Sequence, residues 1–155
     1  ALALVDFHQR QFAAAEERIR TVTREGQANY FYYFILACIH MEKGDWRAAE
    51  QELGQALELE PTSLEGLYLR AVVKTHTENL EGARQDANRA VETVPALSAI
   101  AYLPYLLRAQ IRHDLRDPDQ GYLSDLQKAA GQIPSLAGPI NSLRALWMKA
   151  PRPEK

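Results

Sequence analysis

Large apolar residues recur every 34 positions along the first 80 residues of this chain, at Phe12, Trp46 and Leu80. Small residues repeat in the same register, and the two clearest series are Ala3, Ala37 and Ala71, and Ala15, Ala49 and Ala83. A fixed period of this length is typical of stacked helical repeats, in which each unit buries its apolar face only against its neighbours. The period therefore predicts an all-α solenoid of antiparallel helix pairs.

The period also sets the expected boundaries of the units. We expect a partial unit over 1–28, full units over 29–62, 63–96 and 97–135, and a capping helix over 137–149. Together they form one domain over 1–149 with about eight helices, followed by a disordered tail over 150–155. Because Ala1 falls inside the first helix of its unit, the register further predicts that the chain is part of a longer protein.

Polar residues at the predicted helix starts can accept hydrogen bonds from free backbone amides. The predicted N-caps are Asn29, Asp45, Thr62, Asn79 and Asp117. Thr62 is followed by Glu65 at the spacing of a capping box. Leu143 and Trp147 form one apolar face of the capping helix. We expect this face to pack against the helix that contains Leu126.

The period lengthens after Pro95, since it places the next closing proline at Ala129 and the chain has that proline at Pro134. This predicts a five-residue insertion of unknown register. Pro104 lies within the helical stretch 97–115, and proline removes an amide and crowds the carbonyl of Ile100. We expect a kink there or a later helix start; the alternative is that Pro104 lies in the first turn of a helix beginning near Ala101.

Composition excludes several classes of function. The 155 residues carry a formal net charge of −2, without the basic surface of a nucleic-acid binder or an anionic-membrane binder. The longest apolar run, near 30–39, is shorter than the roughly 20 residues of a membrane span. A single cysteine, Cys38, excludes an intrachain disulfide and leaves the compartment open between the cytoplasm and a bacterial periplasm.

The repeated pattern resembles the tetratricopeptide repeat. The family motif is matched in the unit 29–62 by Tyr33, Leu36, Ala37, Ala49, Ala56 and Pro61, with His40 in place of tyrosine and Leu53 in place of phenylalanine. The next unit has Arg70 and Lys74 where the family prefers leucine and tyrosine, which predicts a looser first helix. The resemblance implies a right-handed superhelical solenoid that acts as a scaffold or adaptor and binds a peptide or helix of a partner protein.

In this family the partner groove is lined mainly by the first helix of each unit. The groove residues implied by the resemblance are Phe31, Phe34, Cys38, Met41, Tyr68, Val72 and Tyr102, with Tyr105 as an alternative to Tyr102 at the far edge. The carboxylate clamp that some members use for chaperone tails is missing, because its places are taken by Phe34, Cys38, Leu69, Ala99 and Leu103. We therefore expect an apolar groove that binds a protein segment but no acidic chaperone tail.

Five consecutive aromatic residues, 30–34, allow two interpretations. A helix cannot turn all five toward one core, so at least one or two must face the groove or solvent. Phe31 and Phe34 are consequently assigned either to binding or to packing on the preceding unit.

Catalytic and metal sites are not predicted. Cys38 and His40, two residues apart on a helix, point about 200° away from each other and cannot form a dyad. The four histidines lack the spacing of a zinc helix, and no cofactor is expected. We expect no enzyme activity.

Two other function classes compete with the scaffold. The first alternative is that the chain is a structural or regulatory appendage of a larger enzyme or envelope assembly, and the sequence does not decide against it. A helical-repeat RNA reader is disfavoured, because the base-reading places hold Phe31, Phe34 and Tyr68 in an acidic chain.

Overall fold

The computed structural model describes residues 11–94, 100–117, 119 and 121–149. Over these residues the chain forms eight α-helices and one 3₁₀ helix, and no β-strand. The helices are α1 (Phe12–Arg24), α2 (Tyr30–Glu42), α3 (Trp46–Leu59), α4 (Leu64–His76), α5 (Leu80–Thr93), α6 (Tyr102–Asp114), α7 (Gly121–Gln132), the 3₁₀ helix (Pro134–Leu136) and α8 (Ala137–Lys149). The predicted all-α repeat solenoid is confirmed. The helix expected over 1–9 and the tail expected over 150–155 lie outside the described residues.

Each helix packs on the next one along the chain, and α4 also contacts α6 directly. The pairs α2/α3, α4/α5 and α6/α7 lie within the three predicted full units. The same small residues are buried in successive repeats. Ala37 and Ala49 are completely buried beside Leu53, which lets α2 and α3 approach closely. Ala71 and Ala83 have the same role between α4 and α5. Among the described helices, none combines the length and the apolar character that a membrane crossing requires.

Side-chain caps define the starts of four of the eight described α-helices. Asn29, Asp45 and Asn79 accept hydrogen bonds from the amides of Tyr32, Ala48 and Gly82, which confirms these three predictions. The prediction for Thr62 is wrong by one residue. Ser63 caps α4 instead, because its hydroxyl accepts the Gly66 amide at 3.1 Å and also donates to the Tyr30 hydroxyl at 2.7 Å. The start predicted at Asp117 is also wrong, since α7 begins at Gly121.

The turn between the two helices of a unit uses a left-handed residue at equivalent places. Gly44 has a φ of 75°, and Glu78 and Arg116 follow with φ values of 60° and 56°. The repeat period leads from Gly44 to Glu78, but from Glu78 it would lead to Arg112 rather than to Arg116. Four of the five inserted residues therefore precede the turn at Arg116, and the fifth lies between that turn and Pro134.

Pro104 does not kink a helix. Helix α6 begins at Tyr102, and the Leu103 amide donates to the Ile100 carbonyl at 3.0 Å in the turn before it. Pro104 thus lies in the first turn, where its missing amide removes no helical hydrogen bond. The kink prediction is wrong, and the alternative of a helix beginning near Ala101 is confirmed.

Helix α8 covers the end of the described solenoid as expected. Leu143 and Trp147 pack against the end cluster, which consists of Ala109, Tyr122, Leu126, Ala129 and Ile140. The Trp147 ring stacks on His113 with ring centroids 4.3 Å apart and contacts Tyr122 edge-on at 5.8 Å. The predicted contact between α8 and the helix that carries Leu126 is confirmed.

Candidate functional site

Helices α2, α4 and α6 share a surface pocket of about 180 Å³. Its lining residues are Phe34, Leu64, Glu65, Tyr68, Leu69, Ile100, Leu103 and Pro104. All of them except Ile100 belong to the first helices of successive units, and Ile100 lies two residues before the start of α6. The pocket therefore lies on the layer of helices to which the partner groove was assigned from the sequence.

Two of the seven predicted groove residues, Phe34 and Tyr68, line this pocket. Both are half-buried, so neither is enclosed by the neighbouring unit. The side chains of Cys38, Met41 and Val72 are also half-buried. Whether these residues contact a partner stays a prediction.

The two edges of the predicted groove differ in how exposed their aromatic side chains are. Phe31 is 66% exposed, the largest exposed fraction among the big apolar side chains that the structure describes. Tyr102 and Tyr105 both pack against the end cluster and are half-buried. Burial raises the pKa of the Tyr68 hydroxyl, and the nearby Tyr102 adds to this increase.

The aromatic stretch 30–34 divides between core and surface. Tyr30 is buried, stacks on Phe34 at a centroid distance of 5.5 Å and contacts Phe31 edge-on at 5.4 Å. Tyr32 and Tyr33 pack on a separate buried cluster that includes Ile19. The expectation that at least one or two of the five face the groove or solvent is confirmed, because Phe31 is exposed and Phe34 lines the pocket.

Sequence reasoning missed Leu64, Leu69, Leu103, Pro104 and Ile100 as lining residues. Leu103 occupies the second position of its first helix, the same place that Phe31 and Glu65 occupy in theirs. The insertion kept Leu103 from being recognised as equivalent to Phe31 and Glu65. The proline spacing gives the length of the insertion but does not show that four of its residues precede α6.

Cys38 and His40 have separate surroundings. The His40 ring is buried, and its Nε2 lies 3.4 Å from Arg20 Nη2 and 4.0 Å from Glu52 Oε1. Burial raises the pKa of the Cys38 thiol, and the negative charge of Glu42 raises it further, to about 11. A thiol with such a pKa is a weak nucleophile near neutral pH. Within the described residues there is also no group of three potential ligands that could hold a metal ion.

Alkylation of Cys38 tests this environment. We expect iodoacetamide to react with the folded chain far more slowly at pH 8 than with the urea-unfolded chain, because only the thiolate reacts and its pKa is about 11. The rate in the folded state should rise by about tenfold per pH unit up to that pKa. Mass spectrometry of the single cysteine measures both rates. Equal rates for folded and unfolded chain at pH 8 would contradict the burial of this thiol.

Buried carboxylates explain the departures from the family motif in α4. Asp86 of α5 is 2% exposed and accepts hydrogen bonds from Arg70 at 2.7 and 2.8 Å and from Lys74 at 2.8 Å. The expectation that Arg70 and Lys74 loosen this helix is therefore wrong, because both cations pair with one buried acid. Asp125 of α7 repeats the arrangement with Arg108 and Arg112, each of which donates to it at 2.9 Å.

Comparison with known proteins agrees with this geometry. Residues 34–98 match the sequence model of the tetratricopeptide repeat. A solved structure described as "Crystal structure of MamA" has a TM-score of 0.75 and 17% identity, over 86% of this chain and 75% of that one. PilF of Pseudomonas aeruginosa has a TM-score of 0.74 and 14% identity, over 99% of this chain and 75% of that one. No curated protein matches the chain in sequence. At these identities the two structures show the shared fold alone.

Proposed function

Because this chain is a tetratricopeptide-repeat protein, we propose that it is a scaffold that binds a peptide or helix of a partner protein in the apolar groove along α2, α4 and α6. The repeat generally serves protein–protein interaction. The residues that contact the partner are Phe31, Phe34, Cys38, Met41, Tyr68, Val72 and Tyr102, together with the lining residues Leu64, Leu69, Ile100, Leu103 and Pro104.

The observation that carries the proposal is the pocket between Phe34, Tyr68 and Leu103. Its lining surface is apolar throughout, because Glu65 and Tyr68 contribute carbon atoms to it rather than their polar ends, and it draws side chains from three successive units. Aromatic side chains that stay half-exposed in the free protein are typical of residues that dominate binding energy once a partner covers them. An apolar groove of this kind suits an extended or helical segment with apolar anchors.

The same residues argue against other ligands. Glu65 would repel phosphate groups and the carboxylates of an acidic chaperone tail. Four of the places where the carboxylate clamp would need cations or amides hold Phe34, Cys38, Leu69 and Leu103. The high pKa of Cys38 disfavours nucleophilic catalysis within the groove. These observations support a protein partner and a non-catalytic role.

Alanine substitution in the pocket tests the proposal. Peptides selected from a displayed random library against the unmodified chain are the probe, and their affinities are measured by fluorescence anisotropy. We expect Phe34→Ala and Tyr68→Ala each to weaken binding by about 2 kcal/mol or more, roughly 30-fold. The matched control is Leu59→Ala, because Leu59 is 49% exposed on α3, outside the layer that lines the pocket.

Thermal unfolding by circular dichroism separates binding from folding. Phe34 also packs on the buried cluster that includes Leu53, so Phe34→Ala is expected to lower the midpoint modestly. Tyr68→Ala is the second variant, chosen because Tyr68 lines the pocket without belonging to that cluster. If both variants stay folded and bind every selected peptide as tightly as the unmodified chain, the groove assignment is wrong.

A further inference from the structure

The size of the pocket limits what one partner can insert. Its volume is about 180 Å³, and an apolar cavity of roughly 150 Å³ is known to hold one benzene molecule. The pocket therefore accommodates one large apolar side chain, such as phenylalanine or leucine. It is too small for two such side chains from the same segment.

The charge beside the pocket has one sign. Glu65 is the one charged residue among those that line it, and it is exposed in the first turn of α4. It makes no hydrogen bond or ion pair with another described residue.

The cations of the three lining helices point elsewhere. Helix α2 contains no lysine or arginine. Arg70 and Lys74, the arginine and lysine of α4, both bind the buried Asp86. Those of α6, Arg108 and Arg112, both bind the buried Asp125. Within these three described helices, no lysine or arginine is therefore left to neutralise Glu65.

Resting on the proposed function, we propose that the pocket receives a single large apolar anchor from a partner segment in which a neighbouring lysine or arginine pairs with Glu65. The apolar lining binds the anchor, and the uncompensated carboxylate selects the charge next to it. Selection by charge adds specificity more than affinity, because an acidic neighbour would be repelled from the same site.

Parallel selections from a displayed random peptide library test the charge preference. On the unmodified chain we expect the recovered peptides to share one phenylalanine, leucine or tryptophan with lysine or arginine close by. On the Glu65→Lys variant we expect the basic neighbour to disappear from the recovered peptides. Recovery of the same basic sequences on both proteins would overturn the inference.

A double-mutant cycle then locates the contact. The probe is one recovered peptide and its Lys→Ala (or Arg→Ala) version, each measured on the unmodified chain and on Glu65→Gln. At low salt each single change should weaken binding by about two- to fivefold, as for an exposed ion pair, and the double change should weaken it no further. At about 1 M salt, where screening reaches roughly 3 Å, the difference should vanish. Additive losses would overturn the pairing with Glu65.

Glu81→Gln is the matched control, because Glu81 is an exposed acid in the first turn of α5. It should leave the affinity of the peptide unchanged. Failure of the inference is distinguishable from failure of the proposed function. Peptides that bind without charge preference but depend on Phe34 and Tyr68 overturn the inference alone, whereas peptides that depend on neither overturn both.

Discussion

The Asp86→Asn variant is expected to lose about 3 to 5 kcal/mol of unfolding free energy, the usual cost of removing one partner from a buried ion pair. Asp86 is 2% exposed, and both cations that bind it, Arg70 and Lys74, are themselves mostly buried. An asparagine accepts fewer hydrogen bonds and carries no charge, so two cations would remain with uncompensated charge between α4 and α5. Urea unfolding followed by circular dichroism measures the loss.

A triple variant provides the control. Replacing Arg70 by leucine, Lys74 by tyrosine and Asp86 by leucine removes all three charges and places the family's preferred residues in α4. Because well-packed apolar replacements of buried ionic groups are often neutral or stabilising, we expect this variant to be far more stable than Asp86→Asn. If the single variant is as stable as the unmodified chain, the three-residue contact contributes nothing.

The effect of Asp86 should depend on pH. Burial raises its pKa, but the hydrogen bonds from Arg70 and Lys74 outweigh burial and hold the pKa below the usual range. A carboxyl whose folded pKa is depressed contributes stability above its unfolded pKa, near 4, and loses it as the pH falls through the folded value. The stability difference between the unmodified chain and Asp86→Asn should therefore be full at pH 7 and shrink below about pH 4.

Local signals made α2 to α5 predictable. The repeat period is set by Ala37 and Ala49 and their equivalents, which must be small wherever two helices touch, so it can be read directly from the chain. The caps at Asn29, Asp45 and Asn79 were likewise visible, since a cap needs only residues within one turn. Ser63 was missed as the cap of α4 because Thr62 beside it also carries a hydroxyl. What distinguishes Ser63 from Thr62 is the contact of the Ser63 hydroxyl with Tyr30 in another unit.

Contacts between helices were not predictable in the same way. Arg70 and Lys74 were predicted to loosen α4 because the sequence around them does not reveal their partner. That partner, Asp86, lies on the next helix, more than three turns away along the chain. The period placed Phe34 and Tyr68 correctly on one surface, as both are at the same position of their helices. Leu103 and Pro104 depend on where α6 begins after the insertion, and no local signal sets that start.

Removing α8 is expected to have the largest effect on the free protein. In a chain ending at Pro134, the buried Tyr122 and Leu126 would lose their cover, and the burial of Ile140, Leu143 and Trp147 would be lost with the helix. Each fully buried side chain of this size is worth about 1.5 to 3 kcal/mol. Ile140 is buried, whereas Leu143 and Trp147 are only partly buried and contribute less. Because a whole domain is stable by only roughly 5 to 15 kcal/mol, we still expect the truncated chain to aggregate or to unfold at much lower temperature.

Light scattering after size exclusion and thermal unfolding measure this loss, and a chain ending at Lys149 is the control for the tail. A point-mutant pair on α8 isolates the cause. Leu143→Ala removes a side chain that packs on the end cluster and should lower stability by more than about 1 kcal/mol. Leu146, further along the same helix, is 65% exposed, so Leu146→Ala should change stability by less than about 0.5 kcal/mol. A truncated chain that stays monomeric and unfolds at the original temperature would show that α8 does not close the stack. A dimer that Trp147→Ala dissociates would show that this face serves a partner instead.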